Sequence, residues 1–327
     1  MVAGGAAGAD LVRRSLSWVL PAAAVACVVA ASAWWWDLPW PMAMLQPAYP
    51  AVILPILLVL AVAALRRRWV SAGVALLAGV VAGVAVVPTL IPGPQPPEPP
   101  GHPGASRLTV MALNTYFGQA DLNSVQRAVQ DHGVDVLILS EAGPQVTPYV
   151  RGGGIGKLLP YDSGPTRGEA SGTLILSRPP LRVIDNDMAG DRHQQPLVEL
   201  RVGGRSVLVR GVHTISPSSR RQTSMWRDDL AQLGRWQQGV SGPLVMAGDF
   251  NAAWPHPGFR EAAVGLDDAL RARGRAWSPT WNYLGSLPPF TQIDHVLTRG
   301  FVVHDAATLV VSGTDHAGIV TTLELTP

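Results

Sequence analysis

The chain predicts a layered α/β or α+β domain behind a helical membrane anchor. Three observations carry that prediction. Only 15% of the 327 residues are charged, against about 25% in an ordinary soluble domain. The deficit is concentrated in the first hundred residues, which contain three long uncharged apolar runs. From Arg107 onward, strand-like and helix-like runs alternate.

The charges divide with the architecture. Residues 1–100 hold five basic side chains (Arg13, Arg14, Arg66, Arg67 and Arg68) and three acidic ones (Asp10, Asp37 and Glu98). The remaining residues carry 20 basic and 20 acidic side chains, a formal net charge of zero. The +2 total therefore belongs to the apolar part. A strongly basic nucleic-acid-binding surface is not indicated by this balance. A hydrophobic content of 47% excludes an intrinsically disordered chain. The single cysteine, Cys27, excludes a disulfide scaffold. A single soluble globule is excluded by the first hundred residues.

Each apolar run, at 15–36, 48–65 and 69–91, is long enough to cross about 30 Å of hydrocarbon as a helix. Pro21 and Pro55 are tolerated inside such helices. Trp18, Trp34, Trp35, Trp36, Trp40 and Trp69 cluster at the run ends, as interfacial anchors do. Cleavage of a signal peptide would explain the first run and not the other two. Arg13 and Arg14 precede the first run, and Arg66–Arg68 separate the second from the third. The positive-inside rule then puts the N-terminus in the cytoplasm and residues after 91 outside the plasma membrane, in a multi-pass protein.

Residues 92–106 read PGPQPPEPPGHPGAS. Such proline density favours a semi-rigid polyproline II linker, with a reach of at most roughly 45 Å. The expected organisation is an anchor over 1–91, this linker over 92–106, and a catalytic domain over 107–327. Strands are expected at 108–113, 134–140, 173–177, 197–202, 206–212, 244–247, 292–297, 307–311 and 319–325. Helices are expected at 122–132, behind the N-cap Asp121, and at 220–238. Shorter helices are expected at 258–264 and 267–272.

Polar residues punctuate the strand ends. Asn114, Glu141 and His213 each close an apolar run. Asp249 and Asn251 follow another in Gly-Asp-Phe-Asn, Asp294 and His295 open one, and Asp315 and His316 precede the last. If these ends converge, they offer carboxylate, amide and imidazole to a hard divalent cation and a phosphate.

The segments LNTYFG, LILSEAG, SGTLILSR, VHTISP, MAGDFN, PTWN, QIDHVL and GTDHAGI, in that order, resemble the endonuclease/exonuclease/phosphatase superfamily of DNase-I-like phosphoesterases. The resemblance covers about residues 107–325. It implies a four-layer sandwich of two mixed β-sheets flanked by helices, with the site at one end. Three apolar runs, a proline-rich stalk and a compact outer domain are also similar to the VanJ-type membrane proteins associated with teicoplanin resistance. That architectural likeness brings antibiotic resistance and the cell envelope into view as a setting.

Carried over residue by residue, the resemblance implies Mg²⁺, with Mn²⁺ as a substitute, bound by Glu141 with Asn114 and Asp315. Asp315 would alternatively orient a catalytic group. Asp249 would orient or deprotonate the attacking water, and Asn251 would contact a phosphoryl oxygen. His316 would face the phosphate, partnered by a distant aspartate or Asp249. His213 would contact phosphate or leaving group, with Asp294 fixing its tautomer. Arg178 is expected to pair with a carboxylate or line the pocket, and Trp281 to pack. Arg220 and Arg221 would reach substrate phosphate or simply start a helix. His295 is expected to be structural, and His102, His193, His256 and His304 to lie at the surface.

The function expected is an extracytoplasmic, metal-dependent phosphoesterase. It would hydrolyse a phosphate ester, phosphodiester or pyrophosphate, lipid-linked and tied to cell-wall precursor recycling. A membrane-tethered nuclease and a catalytically silent sensor on the same fold are the alternatives. The partners are the bilayer and a lipid-linked phosphate ahead of nucleic acid.

Overall fold

Strands buried on both faces read as unbroken apolar runs, because alternate side chains enter different cores. The segment Val-Leu-Ile-Leu-Ser at 136–140 is fully buried for this reason. Val136 and Ile138 face one cluster, and Leu137 and Leu139 the other.

The computed structural model of the protein describes residues 4–90, 106–187, 192–275, 278–282 and 289–326. The helical part comprises α1 (Gly4–Ser32), α2 (Met42–Leu45), α3 (Ile53–Leu65) and α4 (Trp69–Leu90). Among the described residues, three segments are long and apolar enough to cross a membrane: Trp18–Trp35, Met42–Leu65 and Trp69–Val87. Short 3₁₀ turns, Ala33–Trp35 and Gln46–Val52, flank the first connection. The proline-rich stalk at 92–106 lies, apart from Ser106, outside the described residues, and so does His102.

The α/β part runs β1 (Arg107–Asn114), α5 (Leu122–Asp131), β2 (Val136–Ser140), α6 (Thr147–Gly152), α7 (Gly154–Leu158), β3 (Tyr161–Asp162), β4 (Thr173–Ser177), β5 (Leu181–Asp185), β6 (Leu197–Val202) and β7 (Arg205–His213). It continues with α8 (Arg220–Gly239), β8 (Leu244–Asp249), α9 (Pro257–Ala262), β9 (Asp267–Asp268), α10 (Ala269–Ala272), β10 (Asp294–Arg299), β11 (Phe301–Val310) and β12 (Ala317–Leu325). The strands form two six-stranded sheets, ordered β11-β12-β1-β2-β4-β3 and β5-β6-β7-β8-β10-β9. Both are mixed, since β1–β2 and β7–β8 pair in parallel and the other neighbours antiparallel.

The sheets pack face to face over Val110, Ile138, Val209, Val245 and Val296. Helix α5 covers one outer face through Val125 and Val129. Helices α8 and α9 cover the other through Trp226, Leu230 and Phe259. This is the expected four-layer arrangement of two mixed sheets flanked by helices.

Two expected elements differ by more than a two-residue shift of their bounds. The stretch 267–272 is a two-residue strand followed by a one-turn helix, because Asp268 caps that helix through the Arg271 N–H. Strand β11 begins at Phe301, six residues before the expected start at 307, and a register shift between Val303 and Asp305 masks its alternation.

Candidate active site

The site is the polar end of the layer between the sheets. Val110 and Ala112 belong to that layer, so Asn114 has the same parity. Ser140 follows Ile138, Asp249 follows Ala247, and Asp294 precedes Val296 in the same way. Register aligns them further. His213 pairs with Asp249 across β7–β8, and Asp249 with Asp294 across β8–β10. One row over three neighbouring strands therefore carries an imidazole and two carboxylates, and Asn114 stands opposite Ser140 in the other sheet.

Left-handed backbone brings in the remaining groups. Glu141 takes φ 56° immediately after β2, and Asn251 takes φ 47° after β8. Tyr116 and Phe117, at φ 48° and 54°, turn the chain after β1. Such conformations in non-glycine residues cost of order 1–3 kcal/mol each and gather at functional sites. The turn after β1 is used directly, since Phe117 N–H donates to Glu141 Oε2 at 2.8 Å.

Asn114 links two carboxylates. Its Nδ2 donates to Glu141 Oε1 at 3.1 Å and to Asp249 Oδ2 at 3.0 Å. Its Oδ1 accepts from the Tyr116 N–H at 3.0 Å. Asn251 braces Asp249 from the other side, with its N–H on Oδ1 at 2.7 Å and its Nδ2 on Thr214 O at 2.9 Å.

Asp294 does not fix His213, contrary to the expectation from sequence. Its Oδ2 lies 2.8 Å from His316 Nδ1. The loop before β12 brings His316 against Trp281 and thereby onto the end of β10. Asp294 and Asp249 repel one another across the register pair, and an imidazolium between them relieves that repulsion. Burial opposes the charged ring, but the carboxylates of Asp294, Asp249 and Asp315 outweigh it and push the His316 pKa up to about 9. His316 Nε2 stands 4.0 Å from Asp249 Oδ2 and 3.9 Å from Asp315 Oδ1.

His213 has the opposite character. Burial holds its pKa well below the usual value, helped by the nearby His193 and His316. It is a neutral ring with Nε2 4.0 Å from both Glu141 Oε1 and Asp249 Oδ2. His193 packs on it at a tilt, with ring centroids 4.1 Å apart and planes 42° from parallel.

The carboxylates carry unmet negative charge. Burial raises the Glu141 pKa, and burial together with Asp294 raises that of Asp249. Asp315 receives the Trp281 Nε1–H on Oδ2 at 3.0 Å, while its Oδ1 is buried without a hydrogen-bond partner. Buried acceptors of this kind, close to further carboxylates, fit a hard divalent cation. Among the described residues, Asp249, Asp294 and His316 bring their ligand atoms within 4.8 Å of one another. Glu141 stands beside this group, linked to Asp249 through the Asn114 amide.

The other sequence candidates fall at defined places. Arg178 binds Asp135 Oδ1 at 3.2 Å and Val134 O at 2.8 Å, at the far end of β2 from the site. Arg220 and Arg221 are exposed at the start of α8, behind the Ser219 N-cap. His295 is fully buried between Asp268 Oδ2 at 2.7 Å and Ala252 O at 2.9 Å. The expectation of surface histidines fails at three positions. His193 packs on His213, His256 is buried against Trp226, and His304 lies 2.8 Å from Glu324. Isolated histidines in sequence carry no sign of the partners that folding supplies.

Residues 111–316 match the Endonuclease/Exonuclease/phosphatase family, and the chain belongs to it. Members of this family are generally hydrolases of phosphoesters that use magnesium. Among individual proteins, the chain is similar to a UPF0294 protein of Klebsiella pneumoniae (strain 342), with 26% identity over 262 residues, 70% of this chain and 87% of the relative. Its fold is shared with D. rerio TDP2 complexed with single-strand DNA product, at TM-score 0.52 and 16% identity, covering 66% of this chain and 98% of the other. It is shared also with a Staphylococcus aureus beta toxin mutant with bound magnesium ions, at TM-score 0.52 and 15% identity, covering 67% and 99%.

Proposed function

We propose that the chain is a membrane-anchored, magnesium-dependent phosphoesterase. Its α/β domain, taken as residues 107–327, would face the extracytoplasmic side and act on a lipid-linked phosphate or pyrophosphate. The observation that carries the reading is the gathering of Glu141, Asp249, Asp294 and His316 at one end of the sandwich, with Asn114 bridging Glu141 and Asp249 and His316 paired to Asp294. The magnesium ions bound to the beta toxin of the same fold support the choice of metal.

A magnesium ion held by Glu141, with Asn114 and Asp315, would supply positive charge for the phosphoryl oxygens. The Asn114 amide also links Glu141 to Asp249. A water oxygen attacks phosphorus, and the bond from phosphorus to the leaving oxygen breaks. Asp249 takes the water proton on a carboxylate oxygen, and its raised pKa suits it to that task. The His316 Nε2–H is directed at the non-bridging oxygens, which gain charge in the transition state. The leaving oxygen is reprotonated from solvent or through His213. Asn251 holds Asp249 in place and presents the rest of its amide to the phosphoryl group.

Sidedness rests on two supports. The arginines before the first span and between the second and third favour a cytoplasmic side for those segments. With the second span taken from residue 48, the connection before it contacts the α/β domain through Trp40 and Gln46, which supports a common side for the two. A part in envelope phospholipid recycling, and through it in glycopeptide tolerance, rests on the VanJ-type architecture alone.

The test is a substrate panel on the full-length protein in detergent, with Mg²⁺ or EDTA. Hydrolysis of a polyprenyl diphosphate in Mg²⁺ only is expected. Cleavage of plasmid DNA with no action on the lipid would replace the reading by a nuclease. Reporter fusions after Arg68 and at the C-terminus should report opposite sides of the membrane, and a cytoplasmic C-terminus would overturn the placement.

A further inference from the structure

The connection between the first two spans is built onto the α/β part. Arg260 Nη2 donates to Trp34 O at 2.6 Å and its guanidinium covers the Trp34 ring at 4.5 Å. Arg227 donates to Leu38 O at 2.5 Å and Gly258 N–H to Asp37 Oδ1 at 3.2 Å. Gln46 Nε2 donates to Pro255 O at 3.1 Å. His256 accepts from the Ala253 N–H on Nδ1 at 2.9 Å, so its Nε2 carries the proton and donates to Ala43 O at 3.0 Å. Ala43 is thereby buried in the core beneath α8 and α9. Bonds this numerous fix the connection as one wall of whatever lies beside it.

What lies beside it is a cavity of about 350 Å³. Met44 and Leu45 form the wall from the connection, and Pro217, Phe290 and Ile293 the wall from the domain. Asn251 and Trp281 also line it. Those two residues bond to Asp249 and Asp315. The cavity therefore lies next to the proposed phosphate site, one residue removed from Asp249 and Asp315. It is also bounded by α2, the start of the segment Met42–Leu65 that is long and apolar enough to cross a membrane, where Met42 and Leu45 are exposed.

We infer that this cavity receives the hydrocarbon chain next to the phosphate of a lipid phosphate, so that the anchor itself contributes to substrate selection. The inference deepens the phosphoesterase reading and rests on it. Three features favour a hydrocarbon chain. The walls are apolar, and the cavity lies between residues that bond to the phosphate site and the start of a segment apolar enough to cross a membrane. The volume lies at the low end of small-molecule pockets, about 300–1,000 Å³. It fits the first part of a long chain and leaves the remainder in the bilayer. A water-soluble phosphoester would leave these walls unfilled and gain nothing from them.

Leu45 is 60% exposed and Phe290 41%, so charged replacements there leave the cores intact. The experiment takes the full-length protein in detergent with the separate variants Leu45→Glu and Phe290→Glu. Two substrates are compared in Mg²⁺, farnesyl diphosphate and p-nitrophenyl phosphate. The inference predicts that kcat/KM for farnesyl diphosphate falls about tenfold or more, chiefly through KM, because a carboxylate cannot replace apolar contact with several methylenes. The p-nitrophenyl phosphate value should not change. Equal losses on both substrates, or no loss on either, would overturn it.

A second readout does not depend on turnover. A diazirine-bearing farnesyl diphosphate is photolysed on the protein in EDTA and the labelled peptides are mapped. Labelling of peptides spanning 40–52 and 289–293, competed by farnesyl diphosphate and not by inorganic phosphate, is expected. Labelling without turnover would keep the pocket and remove the enzymatic reading. Turnover with labelling elsewhere would keep the enzyme and remove the pocket.

Discussion

Asp294 holds His316, with Oδ2 2.8 Å from Nδ1, and the pairing decides which histidine of the site carries charge. His316 is kept cationic by it, whereas His213, with no carboxylate at hydrogen-bond distance, stays neutral. Asp294→Asn should lower kcat by roughly 10–100-fold, as loss of an orienting partner does. Magnesium affinity, measured by titration calorimetry, should be nearly unchanged. A collapse of magnesium binding would show Asp294 to be a ligand.

Glu141 is a mostly buried carboxylate near Asp249 and Asp315, and burial raises its pKa. Glu141→Gln should abolish magnesium-dependent turnover, with a loss of about 100-fold or more. In EDTA the same variant should melt at a slightly higher temperature than the parent, since it removes a desolvated charge. Thermal unfolding with and without Mg²⁺ measures both effects, and magnesium should stabilise only the parent.

Gly248 sits at φ 137°, and a Cβ there would lie 2.1 Å from the carbonyl oxygen of Val212. The clash is with backbone in the adjacent central strand, so no side chain can yield. Gly248→Ala should cost on the order of 3 kcal/mol. A denaturation midpoint unchanged from the parent would contradict the placement of Asp249, the next residue.

His256 joins the anchor connection to the domain in its neutral form. Burial lowers its pKa to about 4, against a bond to Ala43 that favours the proton. Its unfolded value is about 6.5. Between these values the unfolded chain binds the extra proton, so stability is complete above pH 6.5 and falls as pH drops toward 4. The full contribution is about 3 kcal/mol. The stability difference between the parent and His256→Gln should narrow over that window, followed by thermal unfolding at stepped pH.

The layered fold was legible because most strands are long apolar runs closed by polar residues, and β4 and β6 have the expected bounds. Short edge pairs were not legible. Tyr161–Asp162 has too few residues to show a period, and Leu181–Asp185 is a largely exposed edge. Asn114, Glu141, His213, Asp249, Asn251, Asp294, Asp315 and His316 are brought together at one end of the sandwich, but their pairing is a property of register. No spacing in sequence indicates that Asp294 stands opposite Asp249 and reaches His316. The tryptophan-rich connection read only as an interfacial anchor. Its attachment through Arg260, Arg227 and His256 depends on residues some two hundred positions away.

The central claim is attack of water on phosphorus at the Glu141–Asp249 end of the sandwich. Turnover of a polyprenyl diphosphate by the full-length protein in ¹⁸O-labelled water, with Mg²⁺ present, tests it most directly. Mass spectrometry should find a single ¹⁸O in a phosphate product, inorganic phosphate or lipid monophosphate, and none after Glu141→Gln. Label in the released alcohol, or no phosphate product at all, would contradict it.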